Sequence, residues 1–488
     1  MQNKNSLGKD AVSLTVSKII TMILSMAVSM MLARFRTLEE YGTYSQMLLV
    51  INLVSTLLML GLPNSINYFL SRAENDEQRK RFLSVYYTLN TILGFIIGLV
   101  LVLSVPLIES YFNNPIIHSF IYFLALMPWA SITANSVENI LIIYSKTKYI
   151  IVYQTLSVLI QLCAIVVIQL LGLGFRHYLI SAVAINCLLA VSVHIIVARL
   201  SGGIRFLLDK KLIRSILFFS VPIGLAGMVG TLNTEIDKLL IGYLMDTKQL
   251  AIYTNSAKEL PLTIIATSIT AVLMPRLTVM LKKGKTDEAI SLWGSATQLA
   301  FIVIAFIAAG IFTYADDVMT LLYSSKYLPG VNVFRVYTLN LVLRCTYFGI
   351  ILNAVGKTKM ILVCSIASLI LNAALNPLFY FVFGTIGPAV STFICILLIQ
   401  ILQLKFSSRE LDIKFSRIFP WKKLLCTALI NIAFGFVFYF IKRFIPLDKA
   451  VGSIAESIIL GIVWGVCYIL ITKANILKNW HRLNESEN

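Results

Sequence analysis

The chain has 488 residues, 58% of them hydrophobic and 13% charged, with a formal net charge of +18. An apolar excess of that size excludes a soluble globular core and fits a helical bundle in a bilayer. No polar stretch is longer than about 20 residues, so there is no room for a soluble domain that hydrolyses nucleotides or transfers sugars.

Fourteen apolar runs are each long enough to cross about 30 Å of hydrocarbon as a helix. They cover 11–33, 44–71, 82–105, 116–143, 150–172, 178–198, 215–242, 250–275, 292–313, 333–355, 359–382, 385–404, 424–441 and 450–472. The first is too long for a signal-peptide core and ends in MLARFR, without a small-residue cleavage site, so it is expected to stay as the first helix. All seven cysteines lie within these runs, 18 or more residues apart, which offers neither a disulfide framework nor a CxxC pair. There is no HExxH and no GxxxxGK[ST], so neither a metal nor a nucleotide cofactor is expected.

Orientation follows from the basic residues. With the N-terminus in the cytoplasm, the tail (Lys4, Lys9) and the even-numbered loops hold 28 of the 41 Lys and Arg, and the opposite side holds eight. By the positive-inside rule both termini are cytoplasmic. The same asymmetry explains the basic net charge without nucleic acid as a partner. Juxtamembrane clusters such as RFLLDKKLIR (205–214) add an attraction to anionic membrane lipids.

The chain also repeats itself. YSKTKYIIVYQTLSVLI (144–160) returns as VGKTKMILVCSIASLIL (355–371), an offset of 211, and EEYGTYSQM (39–47) aligns with KQLAIYTNS (248–256) at 209. Each copy holds six spans, so the expected fold is all-α: two six-helix lobes related by a pseudo-twofold along the membrane normal, plus a C-terminal helix pair. The expected divisions are 1–205, 206–410 and 411–488. In such folds the substrate site lies between lobes that alternate in access.

Five basic residues fall inside the spans: Lys18, Lys238, Lys258, Arg335 and Arg344. Their acidic companions are Glu138, Glu235, Asp237, Glu259 and Glu456. A charge at mid-bilayer costs at least about 2.5 kcal/mol, so these side chains should meet a hydrated cavity, a partner charge or the interface. Lys18, Thr21, Ser25 and Ser29 stack on one face of the first helix. In TLNTEIDKLLIGYL (231–244), Thr231, Glu235 and Lys238 share one face and Asn233 and Asp237 another, while Pro222, Gly224, Gly227 and Gly230 make the preceding half easy to bend. Two readings stand for the acids: salt-bridge partners of Lys238 and Lys258, or ligands of a coupling cation. Lys18 and Arg344 have no acidic residue one turn away in sequence, which suits a cationic pocket for an anionic headgroup.

ARFRTLEEYGTYSQ (33–46), GLPNSINYFL (61–70) and IDKLLIGYLMDTKQLAIYTNSAKEL (236–260) together resemble the polysaccharide transporter family of the multidrug/oligosaccharidyl-lipid/polysaccharide exporter superfamily, the Wzx-type flippases of O-antigen and capsule repeat units. The resemblance covers essentially the whole chain; Asp237 and Gly242 fall on the family's helix 7 pattern, whereas Arg36-Thr37-Leu38 departs from the Leu-Gly of many relatives. It implies a protein of the bacterial cytoplasmic membrane that is not an enzyme. Such a protein moves undecaprenyl-diphosphate-linked oligosaccharides from the cytoplasmic to the outer leaflet and works beside a polysaccharide polymerase and chain-length machinery. It further implies coupling, in some members, to a proton or sodium gradient. On this reading Lys18, Lys238, Lys258, Arg335 and Arg344 bind the headgroup, and Glu235 and Asp237 are the candidates for ion coupling. A multidrug exporter of the same architecture would want acidic rather than basic deep charges. A membrane polymerase or ligase would want a large outer loop, and the longest here is 314–332.

Overall fold

The computed structural model describes the backbone of residues 4–445, 449 and 452–485, and side chains from Lys18 to Leu483 within that range. Lys4, Lys9 and the first two residues of the run 450–472 lie outside the described side chains. Every regular element among the described residues is a helix, and packing divides the chain into two compact units, 1–251 and 252–488.

The first unit contains α1 (Lys4–Phe35), α2 (Leu38–Leu58), a π-helical turn (Ile66–Leu70), α3 (Asp76–Leu103), α4 (Val105–Phe112), α5 (Ile121–Ile143), α6 (Thr147–Leu170), α7 (Phe175–Ser201) and α8 (Lys210–Leu244). α9 (Thr247–Ser256) crosses into the second unit. The second unit continues with α10 (Thr263–Lys282), α11 (Thr286–Thr313), α12 (Ala315–Tyr323), α13 (Val331–Leu343), α14 (Ile350–Ala354), α15 (Thr358–Phe383), α16 (Gly387–Glu410), α17 (Phe415–Ile418), α18 (Trp421–Phe444) and α19 (Ser453–Glu485). Among the described residues, each of the fourteen expected runs is helical over most of its length, on one of these helices or on a broken pair of them. Bulky apolar side chains such as Phe218 (86% exposed) and Leu170 (80%) point outward, as lipid-facing surface does.

Three runs expected to be continuous are broken. The run 44–71 stops after Leu58, passes Leu60 and Gly61 in left-handed backbone (φ 49° and 69°), and resumes as the π-helical turn. The cause is a close approach: a Cβ on Gly61 would sit 2.3 Å from the Ser220 carbonyl oxygen, and one on Gly224 would sit 2.4 Å from the Gly61 nitrogen. Only glycine lets two backbones meet this way. The run 250–275 is interrupted between Ser256 and Thr263, where Pro261 supplies no N–H and disfavours helix in the residue before it. The run 333–355 is interrupted between Leu343 and Ile350, and the freed Leu343 carbonyl accepts a 2.7 Å bond from Gln400 Nε2.

Local signals set the helix starts. Thr37 and Glu40 form a reciprocal capping box at α2, with Glu40 N donating to Thr37 Oγ1 (3.2 Å) and Thr37 N donating to Glu40 Oε2 (3.0 Å). Asp209 caps α8 by accepting from Lys211 N and Leu212 N, and it also pairs with Arg81 of α3. The Arg81 guanidinium and these backbone donors hold the Asp209 carboxyl below the usual carboxylate range. α8 packs with α2 and α4 inside the first unit, so the extended segment before it, near the repeat boundary expected at 205, lies within that unit. In the second unit, α18 and α19 pack on α11 through Trp464, Phe438 and Tyr468, whose hydroxyl donates to the Ile302 carbonyl at 3.0 Å.

Candidate functional site

In the first unit, Lys18 of α1 meets Glu138 of α5 at 2.8 Å, and the other carboxylate oxygen of Glu138 accepts from Gln154 Nε2 of α6 at 2.9 Å. The Lys18 side chain remains 52% exposed. α5 carries its own polar face: Ser131, Asn135, Glu138 and Asn139 are spaced to lie together, with Asn135 exposed and the other three half-buried. The π-helical turn adds exposed Asn67, whose Nδ2 reaches Asn139 Oδ1 at 3.5 Å. Just beyond, Tyr68 stacks on Phe219 of α8 with ring centroids 4.1 Å apart, and the Arg72 guanidinium lies 3.9 Å from the Tyr68 centroid. Sequence reasoning singled out Lys18 and Glu138 without pairing them, and missed the amides and Arg72. The spacing of Ser131, Asn135 and Asn139 was a legible signal, but the turn that brings Asn67 to it was not.

Further along α8, Lys238 Nζ bonds Glu235 Oε2 at 2.7 Å, and both side chains are about one-fifth exposed. Asp237 lies on the other face, 2% exposed, with its Oδ1 accepting from the Lys238 backbone N–H at 2.8 Å. Beside it Gly242 packs on Phe112, where a Cβ would fall 2.5 Å from the ring. α8 runs unbroken through Pro222. Gly224 serves contact with Gly61, while Gly227 and Gly230 face open space.

In the second unit, two helix breaks meet. Arg344 ends α13, Glu259 lies in the stretch before α10, and the two form a 2.9 Å ion pair. Lys258, next to Glu259, is exposed. Trp293 Nε1 donates to Thr346 Oγ1 at 2.9 Å and braces the second break. Arg335 is engaged elsewhere: it bonds Asp316 of α12 at 2.5 Å and Asn332 at 2.9 Å. It also borders a largely apolar groove of about 630 Å³ between α11, α13 and α18. Lys18, Lys238, Arg335 and Arg344 thus each have a carboxylate, and for Lys18 and Arg344, which lack one in sequence, it arrives from a distant element.

Two further polar clusters were not singled out in the sequence. Between α15 and α16, Asn372 accepts from Ser391 Oγ at 3.1 Å, and Asn376 is buried with no bonding partner for either amide atom among the described residues. The pair at i, i+4 in NAALN was the visible sign. On α12, Asp317 binds Lys442 of α18 together with Ser453 (2.6 Å) and Ser457 (2.7 Å) of α19. Burial pushes the Asp317 carboxyl up, but the Lys442 ammonium and the two hydroxyls outweigh it, and its pKa lies below the usual value.

These long apolar helices define a multi-pass membrane protein, and its fold is that of the multidrug/oligosaccharidyl-lipid/polysaccharide exporter superfamily. A solved structure titled "Lipid II flippase MurJ, inward closed conformation" superposes with a TM-score of 0.73 at 15% identity, covering 94% of this chain and 99% of that one. The family model described as "Polysaccharide biosynthesis protein" matches residues 31–332, and the chain belongs to that family. Among curated relatives, the uncharacterized membrane protein MJ1068 of Methanocaldococcus jannaschii is 25% identical over 78% of each chain. The probable low-salt glycan biosynthesis flippase Agl15 of Haloferax volcanii is 20% identical over 46% of this chain and 48% of its own.

Proposed function

We propose that this protein is a Wzx-type flippase, carrying undecaprenyl-diphosphate-linked oligosaccharide repeat units from the cytoplasmic to the outer leaflet by alternating access. The observation that carries the reading is the half-exposed polar face of α1 and α5, across which Lys18 pairs with Glu138, on helices whose other outward side chains are largely apolar. Polar groups at that depth are too costly to leave in lipid and are kept where a polar cargo passes. Family membership and the flippase names of similar proteins support it.

Lys18, Lys238, Lys258 and Arg344 steer or contact the diphosphate, with Arg335 nearer the exit; Arg and Lys bind phosphate through charge-assisted hydrogen bonds. The carboxylate partners of Lys18, Lys238, Arg335 and Arg344 hold these side chains in position and are exchanged for phosphate when cargo enters. Glu235 and Asp237 sense a proton or sodium gradient. The protein sits in the bacterial cytoplasmic membrane with both termini inside, supplies repeat units to a polymerase and chain-length machinery, and makes no covalent bond. Deleting the gene in a strain with no second flippase should strand lipid-linked repeat units in the inner leaflet; normal surface polysaccharide in that strain would refute the reading.

A further inference from the structure

The mechanism above uses charges and leaves the amides of the first unit without a task. We propose that Asn67, Asn135 and Asn139 form the surface that reads the glycan of the cargo, beside the charged group that Lys18 holds; the inference rests on the flippase reading.

Three observations carry it. Asn135 lies one helical turn before both Asn139 and Glu138 on α5, with Cβ atoms roughly 6 Å apart, so the amides stand beside the carboxylate that holds the Lys18 ammonium. Asn67 joins them only because the chain leaves helical register at Gly61 and returns as a π-helical turn, a rare form that recurs at functional sites. The Asn67–Asn139 bond uses the Asn67 NH2 group and the Asn139 carbonyl, which leaves the Asn67 carbonyl and the Asn139 NH2 group for a ligand, with Asn67 and Asn135 exposed.

The chemistry of this surface selects the ligand. A neutral amide both donates and accepts, as sugar hydroxyl and acetamido groups do, and it adds no charge to hold a diphosphate. The divided labour is cations for the part common to every cargo and amides for the part that differs.

The test uses the full chain in lipid nanodiscs, titrated with undecaprenyl diphosphate and with undecaprenyl-diphosphate-N-acetylglucosamine and read by native mass spectrometry. The wild type should prefer the sugar-bearing probe by about tenfold or more, the sum of two or three hydrogen bonds. N135A/N139A should bring that ratio to within about twofold, with the loss confined to the sugar-bearing probe, whereas K18A should weaken both probes alike. A double variant that keeps the wild-type preference, a wild type with no preference, or equal weakening of both probes by N135A/N139A would overturn the inference and leave the flippase reading standing. A wild type that binds neither probe would overturn both.

Discussion

Arg344 and Glu259 form a 2.9 Å ion pair at which two interrupted helices meet, each residue standing where regular backbone stops. Discontinuous helices are how transporters bring polar groups to membrane depth, because the broken turn frees backbone and side chains to face the cargo. With side chains 37% and 26% exposed, the pair contributes modestly to stability, about 1 kcal/mol or less. R344A should therefore insert and fold normally yet fail to translocate lipid-linked oligosaccharide in vesicles; full activity would remove Arg344 from the site.

Lys18 and Glu138 separate charge from position. K18A should abolish translocation, whereas E138Q, which keeps a hydrogen-bonding partner for Gln154, should retain folding and alter transport by releasing Lys18. If K18A and E138Q have the same activity as wild type in a leaflet-resolved assay, the α1–α5 face is structural only.

The glycines of α8 should divide into two behaviours. G224A places a methyl group 2.4 Å from the Gly61 nitrogen and should cost about 1–3 kcal/mol of stability by forcing two backbones apart. G227A and G230A meet nothing within 4 Å and should leave stability unchanged or raise it by about 0.5–1 kcal/mol through better helix propensity. Thermal unfolding in nanodiscs distinguishes them. Lost transport in G227A with unchanged stability would mark Gly227 as a point of bending.

Asp317 predicts an acid limb. Its carboxyl lies lower in the folded protein than in the unfolded chain, so between the two values the unfolded chain binds more protons and stability rises with pH. The contribution is fully present above an ordinary carboxylate pKa of about 3.9 and is lost as pH falls through the lower, folded value. The stability difference between wild type and D317N should be flat from about pH 5 to 7 and shrink below about pH 4. A difference that persists unchanged at pH 3 would show that the Lys442, Ser453 and Ser457 cluster does not depend on the charge of Asp317.

Asp237 is the test of coupling. Translocation in vesicles should respond to an imposed proton gradient, sodium gradient or membrane potential, and D237N should blunt that response while headgroup binding persists. Transport indifferent to all three would remove Glu235 and Asp237 from ion coupling.

The sequence by itself determined the bilayer as solvent, the fourteen apolar runs, the repeat and the identity of the charges within those runs, because each of these is a property of composition or of spacing along one helix. It could pair Lys238 with Glu235, since both lie on one face of α8. It could not pair Lys18 with Glu138 or Arg344 with Glu259, which are 120 and 85 positions apart and meet only through helix packing. Hydropathy also reads through a broken helix as though it were whole, since an interruption of a few residues leaves the mean apolar character intact. The tertiary structure decided where the breaks fall: at Gly61, where α8 presses backbone on backbone, before Thr263, where Pro261 interrupts the ladder, and after Leu343, where a glutamine of α16 takes over a freed carbonyl. Those breaks bring Asn67 to Asn139 in the first unit and Arg344 to Glu259 in the second.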